Sequence, residues 1–529
     1  MDEKKQKQFC IIIGCLLGLI FILLIFSPQN VVPTNTNWVE NGGGDNLQHY
    51  LGWRFFRNSS WNRYLLFMRD LNYPIGTSVI VTDSNPLFCL FFKLFRNWLP
   101  ENFQFNGIWL VTSFVLLGFF AAKIGWKLTE NLPMTLAGCV FSILNPVMLQ
   151  RALIHDTLTA HWLILAGIWL FLNEEKSRNL IGWFVLTEVT LLIHIYFIPM
   201  LAFILVLQMI RMIKHKRVWY KVLLVPGVFL LSLGIGYFVF GYSHILPQSG
   251  SFGELSMNLN AFINPDSIPA LTKPRPRVPM QYEGFNYYGL GMIILSLCGV
   301  LMICKKYLKK FLPYLLPVIG LICIAASNIA YFDLNLIYQI ELPEKLYSTL
   351  SIFRSSGRLV WPLYYLALFA VLYFFSQISS HAEIKISVLF TLLCVGLQVL
   401  DLNQFHRETA QRFRSPANEL PELPAEFMAA VPESALHLYS SEGEAKVVDR
   451  LALFAADRGM TFNLSANARG IEAIYGGDMV EMDRLSCERL QPDSVYVFLN
   501  EDYPAELENC PAAETETVHG WFILMLNNN

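Results

Sequence analysis

The chain has 529 residues, of which 54% are hydrophobic and only 15% are charged. Soluble domains carry about 25% charged residues, so this composition excludes an ordinary soluble protein and predicts an α-helical polytopic membrane protein. The net charge of −2 hides an asymmetry, because residues 402–529 hold nine Lys and Arg against 21 Asp and Glu, leaving 30 against 20 for residues 1–401. We therefore predict a membrane domain over 1–401 and a separate soluble domain over 402–529.

The first apolar run, residues 9–26, follows Lys4, Lys5 and Lys7 and lacks a small-residue cleavage site before Ser27. It predicts an uncleaved helix with a cytoplasmic N-terminus. Further runs near 20 residues bring the total to about eleven spans. The other predicted spans cover residues 107–124, 134–149, 158–172, 181–213 as two helices broken at 194–199, 222–240, 288–304, 312–330, 359–375 and 386–400.

This order of spans places most short Lys/Arg-rich connections inside, namely 127–130, 173–179, 211–221, 305–310 and 379–385. The long connections then lie outside, including a large first loop over 27–106 and everything after Asp401. Long loops of compact proteins are usually functional, so we expect any chemistry on the outer face.

The C-terminal region alternates predicted strands and helices, which indicates a soluble α/β domain. Strands are predicted at 435–439, near Ile474, at 494–499 and at 520–526, and helices at 442–458 and 479–490. Cys487 and Cys510 can form a disulfide if this domain is exported. The other eight cysteines lie in or beside apolar spans and read as core residues.

The first polar cluster on the predicted outer face begins at Asp45. Glycines 42–44 precede this carboxylate and allow close approach to a ligand. The following helical turns supply polar, aromatic and cationic groups, namely Gln48, His49, Trp53, Arg54 and Arg57. The alternative is an amphipathic helix whose residues Trp53, Phe55 and Phe56 anchor at the membrane interface. The two interpretations are compatible.

A second cluster contains Asp83, which either functions chemically or caps the next helix. A third contains Arg151, His155, Asp156 and His161, and its cations suit a phosphate or diphosphate. Its alternatives are pairing with Asp156 and lipid headgroups, or metal binding, which ranks lower because the spacing fits no standard ligand signature.

A fourth cluster combines the aromatic residues Tyr282 and Tyr287 with the carboxylate of Glu283, a set that suits a sugar ring. An interfacial aromatic belt is the alternative for the tyrosines. The fifth cluster places Arg354 and Arg358 at the outer mouth of a span, against the positive-inside bias. Arginines in this position need an anionic partner, and a lipid phosphate is the obvious one.

Taken together, these motifs resemble the GT-C superfamily of integral-membrane glycosyltransferases, in particular a bacterial multi-pass branch with an exported C-terminal domain. The motifs that carry the resemblance are Gly-Asp-x-x-Gln-His-Tyr-x-Gly-Trp from Gly44, Asp-Ser-x-Pro from Asp83, His-Asp-x-x-x-x-His-Trp from His155, Glu-Gly-Phe-x-Tyr from Glu283 and Phe-Arg-x-Ser-Gly-Arg from Phe353. The resemblance covers residues 1–401 and extends loosely beyond them.

The resemblance implies that Asp45 is the general base of an inverting transfer, with Asp83 as a second carboxylate. The donor would be a hexose or pentose on a polyprenyl phosphate, and the acceptor an extracytoplasmic glycan or lipid. Arg151, His155, His161, Arg354 and Arg358 would bind the leaving phosphate, and the remaining polar and aromatic residues would hold the sugar or acceptor. No Asp-x-Asp motif is present, so metal dependence stays open, and no nucleic-acid partner is expected.

The implied location is the inner bacterial membrane, with the C-terminal domain outside the cytoplasm. Two other functions stay open. A transporter or flippase of lipid-linked sugars would use the same contacts but should show repeated halves and mid-membrane polar groups. A noncatalytic scaffold would leave the five clusters unexplained.

Overall fold

The computed structural model describes residues 2–526 except 43, 177, 247–251, 303–307, 378–380, 418, 501–502 and 512. Gly43 of the predicted glycine turn and parts of the predicted connections at 305–310 and 379–385 lie outside the described residues. The chain forms two compact units. The first unit comprises residues 1–31, 107–236 and 247–414, and the second comprises residues 32–106, 237–246 and 415–529.

Helices dominate the described chain up to Arg414. They are α1 Glu3–Phe26, α2 Pro28–Val31, α3 Asn37–Glu40, α4 Asn46–Asn58, α5 Pro86–Lys93, α6 Asn106–Thr129, α7 Leu132–Ile143, α8 Pro146–Ile154, α9 Trp162–Phe171, α10 Asn179–Leu191, α11 Phe197–Lys214, α12 Trp219–Val239, α13 Leu290–Met302, α14 Leu308–Ala326, α15 Glu344–Leu350, α16 Trp361–Ser376, α17 His381–Arg414, α18 Ala425–Ala430 and α19 Ala445–Asp457.

The strands are short and lie mostly in the second unit. They are β1 Phe67–Met68, β2 Thr77–Ser78, β3 Ile245–Leu246, β4 Ile329–Phe332, β5 Asn335–Gln339, β6 His437–Ser440, β7 Thr461–Phe462, β8 Gly470–Ile471, β9 Ser494–Phe498, β10 Ala513–Val518 and β11 Trp521–Leu526.

Within the described residues, eight helical segments are long and apolar enough to cross a membrane. They are Glu3–Phe26, Asn106–Thr129, Leu132–Ile154, Phe197–Lys214, Trp219–Val239, Leu308–Ala326, Ser356–Ser376 and Glu383–Arg414. Three shorter apolar helices, Asp156–Phe171, Asn179–Leu191 and Leu290–Leu301, accompany them. The protein is therefore a polytopic helical membrane protein, as the composition predicts.

Two features of these helices bear on the predicted boundaries. The long apolar run at 181–213 is broken as expected, because α10 ends at Leu191 and α11 begins at Phe197. By contrast, α17 continues to Arg414, so the predicted domain boundary after Asp401 falls inside a helix. Asp401 is buried there and accepts hydrogen bonds from the Tyr287 hydroxyl and the Leu290 amide, both at 2.8 Å.

Several predicted inner connections meet in the first unit. The buried carboxylate of Glu174 lies 2.8 Å from Nε of Arg211 and 2.9 Å from Nδ1 of His215. The Lys214 ammonium donates to the carbonyl oxygen of Lys310 at 2.6 Å. Connections 173–179, 211–217 and 308–310 thus share one end of the helix bundle.

The second unit contains a five-stranded sheet in the order β10-β11-β9-β6-β7. β6 is parallel to both β7 and β9, whereas β11 is antiparallel to β9 and β10. A parallel pair needs a crossover, and α19 provides it between β6 and β7. Its side chains at Leu451, Ala452 and Ala455 are buried.

The α/β character of residues 435–526 is present, but two predicted elements are wrong. Residues 479–490 form two 3-10 turns, Met482–Arg484 and Cys487–Arg489, instead of an α-helix. Met482 and Leu485 are three residues apart and both enter the same hydrophobic core, a spacing that suits 3-10 geometry. Ile474 belongs to none of the described strands. The nearest strand is β8, which ends at Ile471 and pairs with β3.

Candidate functional site

A buried cluster of two arginines and one glutamate forms in the first unit. Arg151 lies in the last turn of α8, Glu283 in a 3-10 turn before α13, and Arg358 in a 3-10 turn before α16. Glu283 Oε2 lies 3.0 Å from Nη1 of Arg151 and 2.7 Å from Nη2 of Arg358. The Nε of Arg358 donates to the same oxygen at 2.9 Å. Three distant segments therefore meet on one carboxylate.

The electrostatics of this cluster favour an ionised glutamate. The exposed fraction of the side chains is 1% for Arg151, 8% for Arg358 and 12% for Glu283. Burial alone would raise the pKa of the Glu283 carboxyl, but the charges of Arg151 and Arg358 outweigh burial and lower that pKa to about 2. The three side chains together thus carry one net positive charge at neutral pH.

Two glycines allow the loops that carry Glu283 and Arg358 to pack closely. A Cβ added at Gly357 would lie 2.6 Å from the Cα of Gly284, and one added at Gly284 would collide with the carbonyl oxygen of Ser256. The Asn286 amide donates to the carbonyl oxygens of Gly284 at 2.9 Å and Gly357 at 2.8 Å. This packing fixes the Glu-Gly-Phe-Asn and Ser-Gly-Arg segments against each other.

Aromatic rings flank the two guanidinium groups. The Arg358 guanidinium lies 5.0 Å from the ring centre of Tyr196, and that of Arg151 lies 5.9 Å from the ring centre of Trp361. The Tyr196 hydroxyl accepts a hydrogen bond from the Ser355 amide at 3.0 Å, and this bond links the α10–α11 connection to the loop that carries Arg358. Such stacking suits arginine better than lysine.

The two histidines of the third cluster, His155 and His161, lie in the first unit but in different surroundings. The buried ring of His155 lies edge-on to His194 at 5.3 Å, and its Nδ1 is 3.0 Å from the Thr157 hydroxyl. His155 is also close enough to Glu283 to contribute to the low pKa of that carboxyl. His155 therefore belongs with the cluster.

His161 is fully buried, and its ring stacks on Trp361 at 4.6 Å. Its Nδ1 is 2.8 Å from the Tyr365 hydroxyl, and its Nε2 has no hydrogen-bond partner among the described residues. Asp156 is also buried, and its carbonyl oxygen accepts from the Trp109 indole at 2.9 Å. This backbone contact fixes the turn between α8 and α9.

The remaining residues of the fourth and fifth clusters are spread more widely. Tyr282 is 48% exposed, and Arg354 is half-buried next to Phe353. Tyr287 is fully buried and its hydroxyl is bonded to Asp401 and, at 2.7 Å, to the Thr272 hydroxyl. The predicted belt role is therefore wrong for Tyr287, which fastens the loop to α17 instead.

In the second unit, Asp45 lies directly before α4 as its N-cap residue. Its side chain is exposed and makes no capping hydrogen bond. Gly44 has a φ of +67°, the left-handed conformation that glycine adopts without strain. The carboxylate is therefore exposed at the N-terminal end of α4, where the helix dipole favours a negative charge.

Asp83 lies on a loop that packs against α4. A Cβ at Gly52 would collide with the hydroxyls of Thr82 and Ser84, so glycine at this position lets the loop approach the helix. Those two hydroxyls are 2.8 Å apart. A ring nitrogen of His49 and a carboxylate oxygen of Asp83 lie within 4.8 Å of each other. The loop thus brings Asp83 beside the motif that begins at Asp45.

The capping role predicted as an alternative for Asp83 is wrong. Asn85 is the N-cap of α5, and its side-chain oxygen accepts from the Phe88 amide at 3.3 Å. Both Asp83 and Asn85 have a φ of +53°, the left-handed conformation that Asp and Asn adopt more readily than most L-residues.

Other predicted contact residues of α4 have structural roles. The fully buried Trp53 donates through its indole nitrogen to the carbonyl oxygen of Phe103 at 2.9 Å. Arg57 donates to four carbonyl oxygens between residues 96 and 101. Phe55 and Phe56 are also fully buried, so the alternative that these aromatic residues anchor α4 in the membrane interface is wrong. Their side chains form the core of the first loop.

Residues 15–403 match a family model described as "Domain of unknown function (DUF6311)". The chain belongs to the DUF6311 family. The matched DUF6311 region contains both the arginine–glutamate cluster and the Asp45 and Asp83 segments, and it ends before α18, α19 and the five-stranded sheet. No curated protein matches the chain.

Sequence reasoning missed the residues that support the cluster. Tyr196 and Trp361, which flank the guanidinium groups, lie in apolar surroundings and carry no local signal of this role. Asn286 and Gly357 lie inside the quoted motifs, where a small or amide side chain beside a charged one is a usable signal. Gly357 allows two backbones to approach closely, and Asn286 donates hydrogen bonds to the carbonyl oxygens of both loops.

Proposed function

We propose that this protein is an inverting membrane glycosyltransferase of the GT-C type that uses a polyprenyl-phosphate sugar. The observation that carries the proposal is the Arg151–Glu283–Arg358 cluster. Its net positive charge is buried at the ends of apolar helices, where a lipid-borne phosphate is the natural complementary anion. His155 adds a further group that can donate a hydrogen bond to phosphate oxygens.

The proposed topology has eleven spans, a cytoplasmic N-terminus and an extracytoplasmic C-terminal part in the inner membrane. Contacts within the first unit support this arrangement. The connections of Glu174, Lys214 and Lys310, all predicted inside, meet one another. The segments of Arg151, Glu283 and Arg358, predicted outside, also meet one another.

The pairing of Cys487 with Cys510 further supports export of the C-terminal part. The two residues form a disulfide in the second unit. Disulfides persist in oxidising compartments such as the bacterial periplasm and are rare in the cytosol. The seven free cysteines of the described residues are all in the first unit or in the first loop.

In the proposed reaction, an acceptor hydroxyl loses its proton to the Asp45 carboxylate while its oxygen attacks the anomeric carbon of the donor. The bond from the anomeric carbon to the phosphate oxygen breaks, its electron pair leaves with the phosphate, and the configuration inverts. Arg151 and Arg358 stabilise the departing negative charge. Glu283 acts as a positioning residue, because it already binds both guanidinium groups.

Asp83 assists as a second carboxylate near the motif of Asp45. The hydroxyl pair of Thr82 and Ser84 and the close approach at Gly52 hold the loop of Asp83 against α4. Arg354 and Tyr282, which are more exposed, contact the lipid headgroup and the sugar in this proposal.

The proposal is tested by transfer of radiolabelled hexoses and pentoses from polyprenyl phosphates to membrane glycans by the purified protein in nanodiscs. We expect Asp45→Asn to lower transfer by about 10²–10⁴-fold, the usual contribution of a general base. Glu101→Gln, an exposed acid of the same loop, is the matched control and should retain activity. Arg358→Gln should lose transfer activity. Arg275→Gln, which breaks an ion pair outside the cluster, should retain it.

Three results would count against the proposal. Equal transfer by Asp45→Asn and the parent protein would move the base to Asp83, because the carboxylate of Glu283 is already bound by two guanidinium groups. Retention of configuration at the anomeric carbon would refute the inverting mechanism. Saturable donor binding without turnover, together with movement of the donor between bilayer leaflets, would identify a transporter instead.

A further inference from the structure

A cavity of about 330 Å³ lies within the second unit, between α4 of the first loop and α19. Its walls include Gln48 and Leu51 of α4, Val448 and Asp449 of α19, Glu442 before α19, and Phe462 of β7. The lining therefore combines amide and carboxylate groups with an apolar surface. This combination is typical of a pocket for a small polar ligand.

The two helices that form the walls run in the same direction. The Arg54 guanidinium, near the end of α4, lies 2.6 Å from the carboxylate of Asp457, the last residue of α19. The Asn58 amide donates to the carbonyl oxygen of Ala456 at 2.9 Å. These contacts fasten the C-terminal ends of the helices together, so the cavity lies near their N-terminal ends.

Two polar side chains in this cavity lack partners within the protein. Asp449 is partly buried and makes no hydrogen bond or ion pair with any other described residue, and burial raises the pKa of its carboxyl to about 6. The Gln48 amide is equally without a partner among the described residues. Neither group is fully buried, so water reaches both, and a ligand that enters the cavity can replace this water and bond to them.

The charge of the lining restricts the ligand. Glu442 and Asp449 are acidic, and the lining residues described include no Lys, Arg or His. The N-terminal ends of two helices attract negative charge, but these carboxylates already supply it. A phosphate, a uronic acid or an acidic lipid headgroup would therefore be repelled. Hydroxyl and amino groups are suitable partners for the carboxylates and for Gln48.

The apolar surface completes the match to a sugar ring. Val448 is partly buried and forms an aliphatic wall with Leu51, so the C–H face of a pyranose can pack against this wall, behind which Phe462 is 1% exposed. The polar groups of the cavity then bond to hydroxyl or amino substituents at the ring edge. A volume near the lower end of ligand pockets suits one or two sugar units.

We propose that this cavity binds a sugar unit of the acceptor glycan, one that carries hydroxyl or amino groups and no acidic group. The inference rests on the proposed function, since it assigns the substrate class of the acceptor. Gln48 lies three residues after Asp45, a spacing that places both on one face of a helix. A glycan held at Gln48 thus has its next hydroxyl close to the proposed base.

The test measures binding without transfer, using the purified full-length protein in nanodiscs and no donor. Ligands are di- and trisaccharides of glucose, galactose and glucosamine, with oligogalacturonate as the acidic counterpart. Saturation-transfer NMR detects contact and calorimetric titration gives the dissociation constant. We expect neutral and amino sugars to bind, and the amino sugars to bind more tightly as the pH rises through about 6.

Matched variants locate the site. Asp449→Asn should weaken binding by about tenfold, as expected for loss of a charged hydrogen bond. Ala466→Trp, which fills the cavity from its rim, should abolish binding. Glu444→Gln removes the same charge from a residue before α19 that does not line the cavity, and it should bind like the parent protein. Unchanged thermal unfolding of each variant shows that the fold is intact.

The inference is overturned if no saccharide of the panel binds, if oligogalacturonate binds best, or if Asp449→Asn and Ala466→Trp bind like the parent protein. Transfer activity is measured separately on the same preparations. Transfer without binding in the cavity would refute this inference alone. Binding in the cavity without transfer from any donor would refute the proposed function and leave a saccharide-binding site.

Discussion

Glu283→Gln is the substitution whose effect follows most directly from the geometry. The parent carboxylate is 12% exposed and is shared by two buried guanidinium groups. An amide of the same shape removes the negative charge and leaves both cations in place. Breaking a buried ion pair from one side costs about 3–5 kcal/mol, because the remaining charge is uncompensated. We expect a loss of stability of this size.

The low pKa of Glu283 also gives a pH dependence. Although burial opposes it, the charges of Arg151 and Arg358 lower the pKa of this carboxyl from 4.5 to about 2, so its ionised form stabilises the folded protein. Because the folded pKa is depressed, this stabilisation is complete above pH 4.5 and is lost as the pH falls toward 2. Glu283→Gln should lack this part of the acid sensitivity.

The assay is unfolding of the purified protein in mixed micelles by increasing SDS, followed by tryptophan fluorescence. Asp333→Asn is the matched control, since it breaks an arginine–carboxylate pair on the surface of the same unit. Solvent screens that pair, so its loss should be much smaller. Farnesyl phosphate should restore part of the stability of Glu283→Gln by supplying an anion. Equal losses for the two variants would refute the buried charge network.

Three further predictions concern particular contacts. Gly357→Ala introduces a Cβ 2.6 Å from the facing loop and should abolish transfer while the helices remain folded by circular dichroism. Asn85→Ala should lower the free energy of unfolding by about 1 kcal/mol through loss of a helix cap. Asp83→Ala should lower it less and should impair transfer more. A larger loss of stability for Asp83→Ala than for Asn85→Ala would restore the capping role to Asp83. Cys487→Ser should lower stability by about 3 kcal/mol, as expected for a 23-residue separation from Cys510, and a reducing agent should have no effect on this variant.

Hydropathy predicted the helices of the first unit well because a span needs a continuous apolar stretch. The end of α17 was missed for the same reason. Beyond Leu400 the sequence becomes polar, although the helix continues and Asp401 is buried by bonds to Tyr287. β10 was missed because its exposed Glu and Thr residues lack an apolar pattern, which is how edge strands avoid aggregation.

The candidate site was predictable in its charged residues and not in its arrangement. Arg151, Glu283 and Arg358 are conspicuous because charges beside apolar spans are costly. Their shared contact depends on backbone approach at Gly284 and Gly357, and sequence patterns do not encode distances between segments 70 residues apart. Conversely, Trp53 and Arg57 are residue types that often contact ligands, and the sequence placed them in a predicted binding cluster. In the structure they pack within the first loop instead.

The fastening of α4 to α19 has a consequence for biogenesis. Arg54 is buried against Asp457, a residue that the ribosome adds about 400 positions later. During synthesis the first loop reaches the far side of the membrane before that partner exists, and the guanidinium of Arg54, which is buried in the complete protein, is then exposed. The proposed acceptor cavity between α4 and α19 can therefore form only after the C-terminal part of the chain has been exported. A nascent or truncated protein that stops near residue 403 would be inserted and inactive, and it would need chaperone protection until the last 120 or so residues arrive.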